Sequence, residues 1–399
     1  MYDFIIIGGG IIGLSTALHL TKAYPGKRIL VLEKEASLSY HQTGHNSGVI
    51  HTGVYYKPGG MKARFCQQGA QSMPAFCDEH GIRYETCGKV IVAVREAELP
   101  WFKNLHQRGL ENGVKIKEIS LEALKEIEPH VKAIKALHVP DTGIVDYVDV
   151  SNKYADLIRE AGGEIKLNTK VVDIKETKQE AIVKTTQGEF KARYVIGCAG
   201  LQSDRIAKKA HAELDFRIVP FRGEYYDIKP DKKHLVKNLI YPVPDPSFPF
   251  LGVHFSRHID GRVSIGPNAV LNCEGYQKLN INLKDLGNTL SYAGFWRLIG
   301  QYIKPGTGEM MRSLFKPLFL KRVQQYMPEI TSKDITVSHC GIRAQALGAK
   351  GQLLQDFNIA RSVKGRSLHV CNAPSPAATS SLQIGEYIVK KIQAEPLDL

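Results

Sequence analysis

Gly8, Gly10 and Gly13, followed by Glu33 twenty positions after the third glycine, carry the clearest chemical pattern in the chain. In a Gly-x-Gly-x-x-Gly loop the first glycine permits a tight turn. The second lets the backbone approach a pyrophosphate, and the third allows close helix–strand packing. The helix that follows offers free N–H groups and the positive end of its dipole to phosphate oxygens. A carboxylate at the position of Glu33 accepts hydrogen bonds from ribose hydroxyls. Ile12 inside the loop and Lys34 beside the acid belong to the same expected nucleotide contact. The pattern calls for a bound nucleotide and leaves NAD and FAD both open.

These residues need a βαβ unit to hold them, and the flanking sequence supplies one. Phe4–Ile7 is an unbroken apolar run, the mark of a parallel strand buried on both faces. A helix is predicted from Ser15, a turn at Pro25-Gly26, and a second buried strand over Arg28–Glu33. Further strands are predicted at 89–94, 165–167, 171–174 and 181–185, and again at 190–192, 194–200 and 367–371. Helices are predicted at 61–80, 96–112, 120–128, 150–161, 285–328 and 379–393. Three features favour FAD. The glycine loop stands at the start of the sequence, a second buried strand ends in Ala199-Gly200, and a strand–loop–helix unit stands at the end. Segments so dispersed imply one long cofactor threaded through a discontinuous domain. The expected fold class is therefore α/β and α+β. A Rossmann-like FAD-binding domain takes residues 1–88, 142–215 and 335–399, and a substrate domain with a mixed or antiparallel sheet takes 89–141 and 216–334.

The composition is that of an ordinary globular enzyme, with 399 residues, 43% hydrophobic and 23% charged. Lys and Arg number 53 against 40 for Asp and Glu, a net charge of +13. Such a field favours an anionic partner: a carboxylate substrate, acidic lipid or nucleic acid. No arginine-rich tail, stacking-aromatic motif or zinc signature supports nucleic acid, so none is expected. Seven cysteines, an odd number with no C-x-x-C, speak against a disulfide framework or a zinc site. No metal and a reducing cytoplasm are expected. No signal peptide or membrane span is predicted. Residues 295–326 mix Phe295, Trp296, Leu298 and Phe319 with Arg297, Lys304, Arg312 and Arg322. A basic amphipathic region of this kind either docks peripherally on an anionic membrane face or packs within the domain with its charges solvated.

Three strings add a resemblance. Gln42–His51, Pro220–Tyr225 and Asn372–Ser381 together resemble the L-2-hydroxyglutarate dehydrogenase/oxidase family of the D-amino-acid-oxidase-like flavoproteins, and the likeness spans nearly the whole chain. It implies oxidation of L-2-hydroxyglutarate, a small dicarboxylate, to 2-oxoglutarate. FAD, bound without a covalent link, would accept the hydride, and a quinone or oxygen would take the electrons. It also implies that Thr43, Asn46, Ser47, Gly48 and Val49 run along the flavin and that the backbone of Val172 contacts adenine. Pro376, Ala377, Ala378, Thr379 and Ser380 are implied to surround the flavin ring at a helix start. The helix dipole there would stabilise negative charge on the reduced ring.

Oxidising a carbon that bears a hydroxyl needs a base for the hydroxyl proton, and histidine suits neutral pH. His51, closing the first string, ranks first as base or flavin contact. His254, in Gly252-Val253-His254-Phe255, ranks second. A hydrogen-bonded structural histidine is the alternative for each. A diacid also needs cations, and the arginine fork binds a carboxylate through two parallel hydrogen bonds. Arg343 and Arg222 are the leading candidates, with Lys62 and Arg64 behind them. Apolar and glycine neighbours place Arg343 in the interior. Tyr241 is expected either to offer its hydroxyl to substrate or to pack in the core. Two other readings stay open: an amino-acid or amine oxidase on the same fold, which would want an acidic or aromatic cage, and a flavin-bearing binding protein.

Overall fold

The computed structural model describes residues 1–246, 252–271, 283–301 and 316–394. The run Tyr2–Ile7 lies inside a sheet, paired in parallel with Gly188–Gly197 on one side and Ile29–Leu32 on the other. Phe4, Ile5 and Ile6 are wholly buried, as their unbroken apolar pattern requires. Ile29–Leu32 continues to Glu164–Lys166, and Gly188–Gly197 continues to the hairpin of Val171–Glu176 and Ala181–Thr185. Ser367–Asn372 joins the same sheet alongside Gly188–Gly197. One face is covered by the helices Ile11–Ala23, Tyr147–Glu160 and Ser381–Gln393, through Leu14, Tyr154 and Ile388. The residues of this sheet come from widely separated parts of the sequence, the arrangement expected of a discontinuous nucleotide-binding unit.

A second eight-stranded sheet runs in the order Ile335–Gly348, Phe216–Ile228, Val263–Leu271, His254–Arg257, Leu239–Pro242, Lys89–Ala93, Lys135–Val139, Lys117–Ile119. Its pairings are antiparallel except that Leu239–Pro242 lies parallel to Lys89–Ala93. The division expected at residue 335 is corrected here. Ile335–Gly348 pairs with Phe216–Ile228 from Ile335↔Ile228 to Gly348↔Phe216, so it belongs to the second sheet. A strand settles on whichever sheet edge offers unpaired N–H and C=O groups, and position in the chain does not report that choice. A small sheet of Val49–Ile50, Gly143–Val145 and Tyr84–Glu85 stands beside the two large ones.

In the basic helical region, Phe295 and Leu298 are buried against Val219 and Leu347, and Phe319 packs in the core of the second sheet. In its described part the apolar side chains of Phe295, Leu298 and Phe319 are thus turned to the protein, while Trp296 stands exposed. Residues 302–315, with Lys304 and Arg312, lie outside the described residues, as does Cys273. Among the described residues no helix is long and apolar enough to cross a membrane, and no cluster could hold a metal ion.

One buried group in the first sheet makes stability depend on pH. His369 is 1% exposed, and its Nε2 lies 2.8 Å from Ser367 Oγ, which donates to Glu176 Oε1. The serine proton is thereby committed to the carboxylate, so Nε2–H donates to Ser367 and Nδ1 carries no proton. Burial holds this imidazole down to about 4. Below the ordinary histidine value the unfolded chain takes up a proton that the folded chain refuses. Stability present above pH 6.5 is therefore lost as pH falls toward 4, by on the order of 3 kcal/mol when complete. His369→Gln is expected to flatten that part of the acid slope in pH-dependent denaturant titrations; an unchanged slope would contradict it.

Candidate active site

The glycine loop is built as its spacing demands. Gly8 has φ +119°, and a Cβ there would lie 2.3 Å from the Cys198 carbonyl oxygen. A Cβ on Gly13 would lie 2.0 Å from the Gly8 oxygen, so helix and strand touch backbone to backbone. Gly10 is different, with only Thr43 Oγ1 within reach at 3.3 Å. That is the opening through which a phosphate can approach. The helix Ile11–Ala23 has no side-chain cap from Gly10, and Ile11 N donates to Thr43 Oγ1 at 3.1 Å. Glu33 is 7% exposed, its carboxylate accepting from Gly9 N at 2.7 Å and Glu35 N at 2.9 Å. Ser39, whose N–H donates to Gly9 O, has a buried Oγ with no partner. A register shift between Val171 and Asp173 takes Val172 out of the strand ladder. Its carbonyl accepts from Lys209 Nζ, while its N–H is left out of the ladder. An open helix start, an anchored carboxylate and an orphaned hydroxyl fit the ADP half of FAD. Lys34 is held locally by Glu35 and His41. Ala199 and Gly200 follow the Cys198 carbonyl that backs Gly8, and Ile12 is partly open beside the loop.

The second helix start lies next to the first. Ser15 Oγ donates to Ser381 O at 2.7 Å, and a Cβ on Gly385 would meet Ser15 Oγ at 2.4 Å. Pro376–Ser380 leads into this helix, and the Ser380 Oγ is buried without a partner. Thr379 Oγ1 ties three segments together. It accepts from His51 N at 3.1 Å, donates to Val49 O at 3.2 Å, and lies 2.9 Å from the Tyr147 hydroxyl. Asn46 shapes its own loop, its Oδ1 accepting from Gly48 N at 2.8 Å. Ser47 reaches the Tyr241 hydroxyl. Ala377 and Ala378 are half-buried with no polar side chain to obstruct a planar ring. The two adjacent helix starts and the strip from Asn46 to His51 fit the pyrophosphate and isoalloxazine ends of FAD.

The second sheet supplies a floor facing this cradle. Six adjacent strands contribute to one line across it, because side chains of paired residues share a face. Phe221 pairs with Arg343, and Tyr225 follows on the same strand. His254 pairs with Gly266, whose Cβ would touch the Tyr225 ring at 2.8 Å. Ile240 pairs with Phe255, which sets Tyr241 beside His254. Tyr241 pairs with Ile91 and Leu239 with Lys89. Arg343, Tyr225, His254, Tyr241 and Lys89 thus form one row. The Tyr241 and His254 rings are 4.2 Å apart, and Lys89 Nζ lies 5.1 Å and 5.3 Å from the rings of Tyr55 and Tyr241.

Electrostatics in this row follow from burial. His51 is driven down to about 3 by burial, with the Lys89 and His254 charges adding to the effect. His254 falls to about 4, again through burial, opposed by its contact with Gly252 and reinforced by Arg343 and Lys89. His254 Nδ1 lies 3.0 Å from Gly252 O, so Nδ1–H donates to the carbonyl and Nε2 is left as an acceptor. Both imidazoles are neutral near pH 7 and able to accept a proton. Lys89 is lowered to about 8 by burial and still carries its charge at neutral pH. Burial raises the Tyr241 phenol well above its usual range, so it acts as a neutral donor.

The structure brings His51, His254 and Tyr241, three of the candidates read from sequence, close together, and two arginine expectations change. Arg343 is exposed, not interior, because it stands at the end of the row on the edge strand of the sheet, while Ile342 takes the opposite, buried face. Its charge still bears on Tyr225, Tyr241 and His254. Arg222 is 7% exposed, but it pairs with Ile342, on the opposite face from Arg343. Its Nε lies 3.5 Å from Glu224 Oε1, and it is not in the row. Lys62 borders the site, 5.1 Å from the Tyr56 ring and influenced by Arg343. Arg64 is exposed over Phe65. Lys89, Tyr55, Tyr56 and Tyr225 went unread in the sequence. The available signal was a lysine opening a strand whose next residues, Val90 to Ala93, are apolar on both faces.

Residues 3–391 match the model of the family described as FAD dependent oxidoreductase. The chain is 47% identical over 388 residues to an L-2-hydroxyglutarate dehydrogenase of Indibacter alkaliphilus, covering 96% of this chain and 97% of that one. It is 46% identical to the protein of that name from Escherichia coli K12, covering 98% of this chain and 93% of the relative. The mitochondrial L-2-hydroxyglutarate dehydrogenase of Homo sapiens is 44% identical, covering 98% and 89%. The fold is similar to L-alpha-glycerophosphate oxidase of Mycoplasma pneumoniae with FAD bound, with a TM-score of 0.79, 22% identity, and 99% and 95% of the two chains covered. Glycine oxidase of Geobacillus kaustophilus gives a TM-score of 0.74 at 18% identity, covering 100% and 96%.

Proposed function

The chain belongs to the FAD dependent oxidoreductase family, and on that premise we propose that it oxidises L-2-hydroxyglutarate to 2-oxoglutarate. The observation that carries the reading is the row across the second sheet. It sets the neutral imidazole of His254 and the phenols of Tyr225 and Tyr241 between the cations of Arg343 and Lys89, with the neutral imidazole of His51 close to His254 and Lys89. Such a site accepts an anion and a hydroxyl proton together. The row carries no acidic side chain, and the cations of Arg343 and Lys89 repel an ammonium group, which disfavours an amine substrate.

FAD, when bound, supplies the acceptor for the hydride that leaves the hydroxyl-bearing carbon. His51 takes the hydroxyl proton. Its residue is tied directly to the flavin cradle, the His51 backbone N–H donating to Thr379 Oγ1. A base fixed to that cradle stays in register with the carbon being oxidised. His254 and Tyr241 hold the hydroxyl oxygen in place, the phenol donating and Nε2 accepting. Arg343 binds a substrate carboxylate from the solvent side. Thr43 and the start of helix Ile11–Ala23 hold the pyrophosphate, Glu33 the ribose, and the Val172 backbone the adenine. The substrate loses one proton and two electrons with its hydride, and the electrons leave to a quinone or to oxygen. A net charge of +13 supports docking on an anionic membrane face, where a quinone would be met.

Anaerobic mixing tests the reaction directly. L-2-Hydroxyglutarate is expected to bleach the flavin absorbance and yield 2-oxoglutarate, while D-2-hydroxyglutarate and amino acids leave it yellow. Bleaching by an amino acid alone would reverse the assignment.

A further inference from the structure

The row across the second sheet contains a charge that the proposed chemistry does not itself require. Lys89 is 1% exposed, at the start of a strand whose remaining residues are wholly buried. Among the described residues its ammonium makes no hydrogen bond and no ion pair; the ionisable groups that raise its basicity are the thiols of Cys66 and Cys87. Cys66 is itself pushed up to about 12 and stays neutral. The ammonium sits instead 5.1 Å from the Tyr55 ring and 5.3 Å from the Tyr241 ring, which are stacked 6.3 Å apart. The hydroxyl of that same Tyr55 is buried with no partner. Buried cations are rare unless paired, because desolvation is costly. Two aromatic faces offset part of that cost. An unpaired donor on the ring that faces the ammonium leaves a place for an acceptor anion that could satisfy both.

The position of this charge along the row matters. Arg343 stands five strand spacings away, a backbone separation on the order of 24 Å. Both side chains are long and act on His254 from opposite sides, Arg343 from the solvent edge and Lys89 from the interior. His254 and Tyr241 lie between them along the sheet, and His51 lies close enough to Lys89 and His254 to feel both. A single carboxylate needs one of these cations, and a substrate with a carboxylate at each end needs both.

We propose that Lys89, with the Tyr55 hydroxyl, is the anchor for the second carboxylate of the substrate, and that it makes the site selective for 2-hydroxy diacids over 2-hydroxy monoacids. This inference rests on the 2-hydroxyacid reading above and deepens it. The interior cation takes the carboxylate remote from the reacting carbon, and Arg343 takes the one beside it. Selectivity arises because a monoacid leaves a methyl group against a buried ammonium and an unpaired hydroxyl, neither of which it can satisfy.

The test compares the holoenzyme with Lys89→Met and Lys89→Arg on L-2-hydroxyglutarate and on L-2-hydroxyvalerate, which carries a methyl in place of the remote carboxylate. Lys89→Met is expected to lose on the order of 100-fold in kcat/KM for the diacid, chiefly through KM. Its kcat/KM for the monoacid should change less than about threefold, and Lys89→Arg should recover part of the loss. Equal losses on both substrates, or no loss on either, would overturn the proposal. A second measurement avoids variants. Glutarate binding to the wild-type holoenzyme, read from the flavin absorbance, should weaken from about pH 7 to about pH 9 as the ammonium deprotonates, while valerate binding stays level. Glutarate affinity that is flat across that window would also overturn it. Turnover of no 2-hydroxy acid, with glutarate binding still dependent on Lys89, would remove the proposed reaction and keep the anchor. Turnover of the diacid with Lys89→Met equally selective would keep the reaction and remove the anchor.

Discussion

His51→Ala is expected to lower kcat for L-2-hydroxyglutarate by about 1000-fold while FAD stays bound. The substitution removes the imidazole and keeps the backbone N–H that donates to Thr379 Oγ1, so the cradle loses no hydrogen bond. What disappears is the acceptor for the hydroxyl proton. An alcohol does not release its proton unaided near neutral pH, so hydride departure loses its drive. His254→Ala is expected to cost less, about tenfold, because Tyr241 still holds the hydroxyl. The pH profile separates the two roles further. A base works when unprotonated, and His51 holds its proton only below about 3, His254 below about 4. Activity should therefore stay level on the acid side well below the ordinary histidine value of 6.5, until the fold itself weakens. On the alkaline side kcat/KM should decline above about 8 as Lys89 loses its charge. An acid limb at 6.5, or a loss in His254→Ala that exceeds the loss in His51→Ala, would move the base away from His51.

The contrast between the two sheets explains what could be read in advance. The glycine loop, Glu33 and the strand Tyr2–Ile7 lie within one short stretch, and their spacing alone specifies a βαβ turn. Local sequence therefore carries the nucleotide cradle. The substrate row has no such locality. Lys89, Tyr225, Tyr241, His254 and Arg343 sit on five different strands, and only pairing register brings them into line. A one-residue slip would turn any of them to the other face. That is why Arg222 and Arg343, the two leading arginine candidates in the sequence, face opposite ways in the fold. Apolar neighbours suggested a buried Arg343, but in a strand the neighbours are the residues that point elsewhere, as Ile342 does. Lys89 was hidden by the reverse effect. Its strand was plain in the sequence, but a lysine opening a strand carries no local sign of burial; the neighbouring strands cover it.

Gly13→Ala is expected to give protein that purifies without FAD, with affinity reduced by at least about 100-fold. The new Cβ would sit 2.0 Å from the Gly8 carbonyl oxygen, and neither partner is a flexible side chain that could swing aside. Relief requires the helix Ile11–Ala23 to move about 1 Å off its strand, to the 3.0 Å at which real contacts begin. That motion carries the helix-start N–H groups away from the pyrophosphate they must meet. It also drags on the second helix start, because Ser15 Oγ is bonded to Ser381 O and Gly385 packs on Ser15. The ADP and flavin ends of the site would be disturbed by one methyl group. Gly26→Ala supplies the comparison. Gly26 has φ +77° in a turn with nothing within 4 Å of its added Cβ. It should cost about 1 kcal/mol of backbone strain and leave FAD bound. The ratio of flavin to protein absorbance, together with thermal unfolding, distinguishes the two. A fully yellow Gly13→Ala protein with unchanged unfolding would show that the helix can retreat without losing the cofactor. The close backbone contact would then be a matter of packing alone.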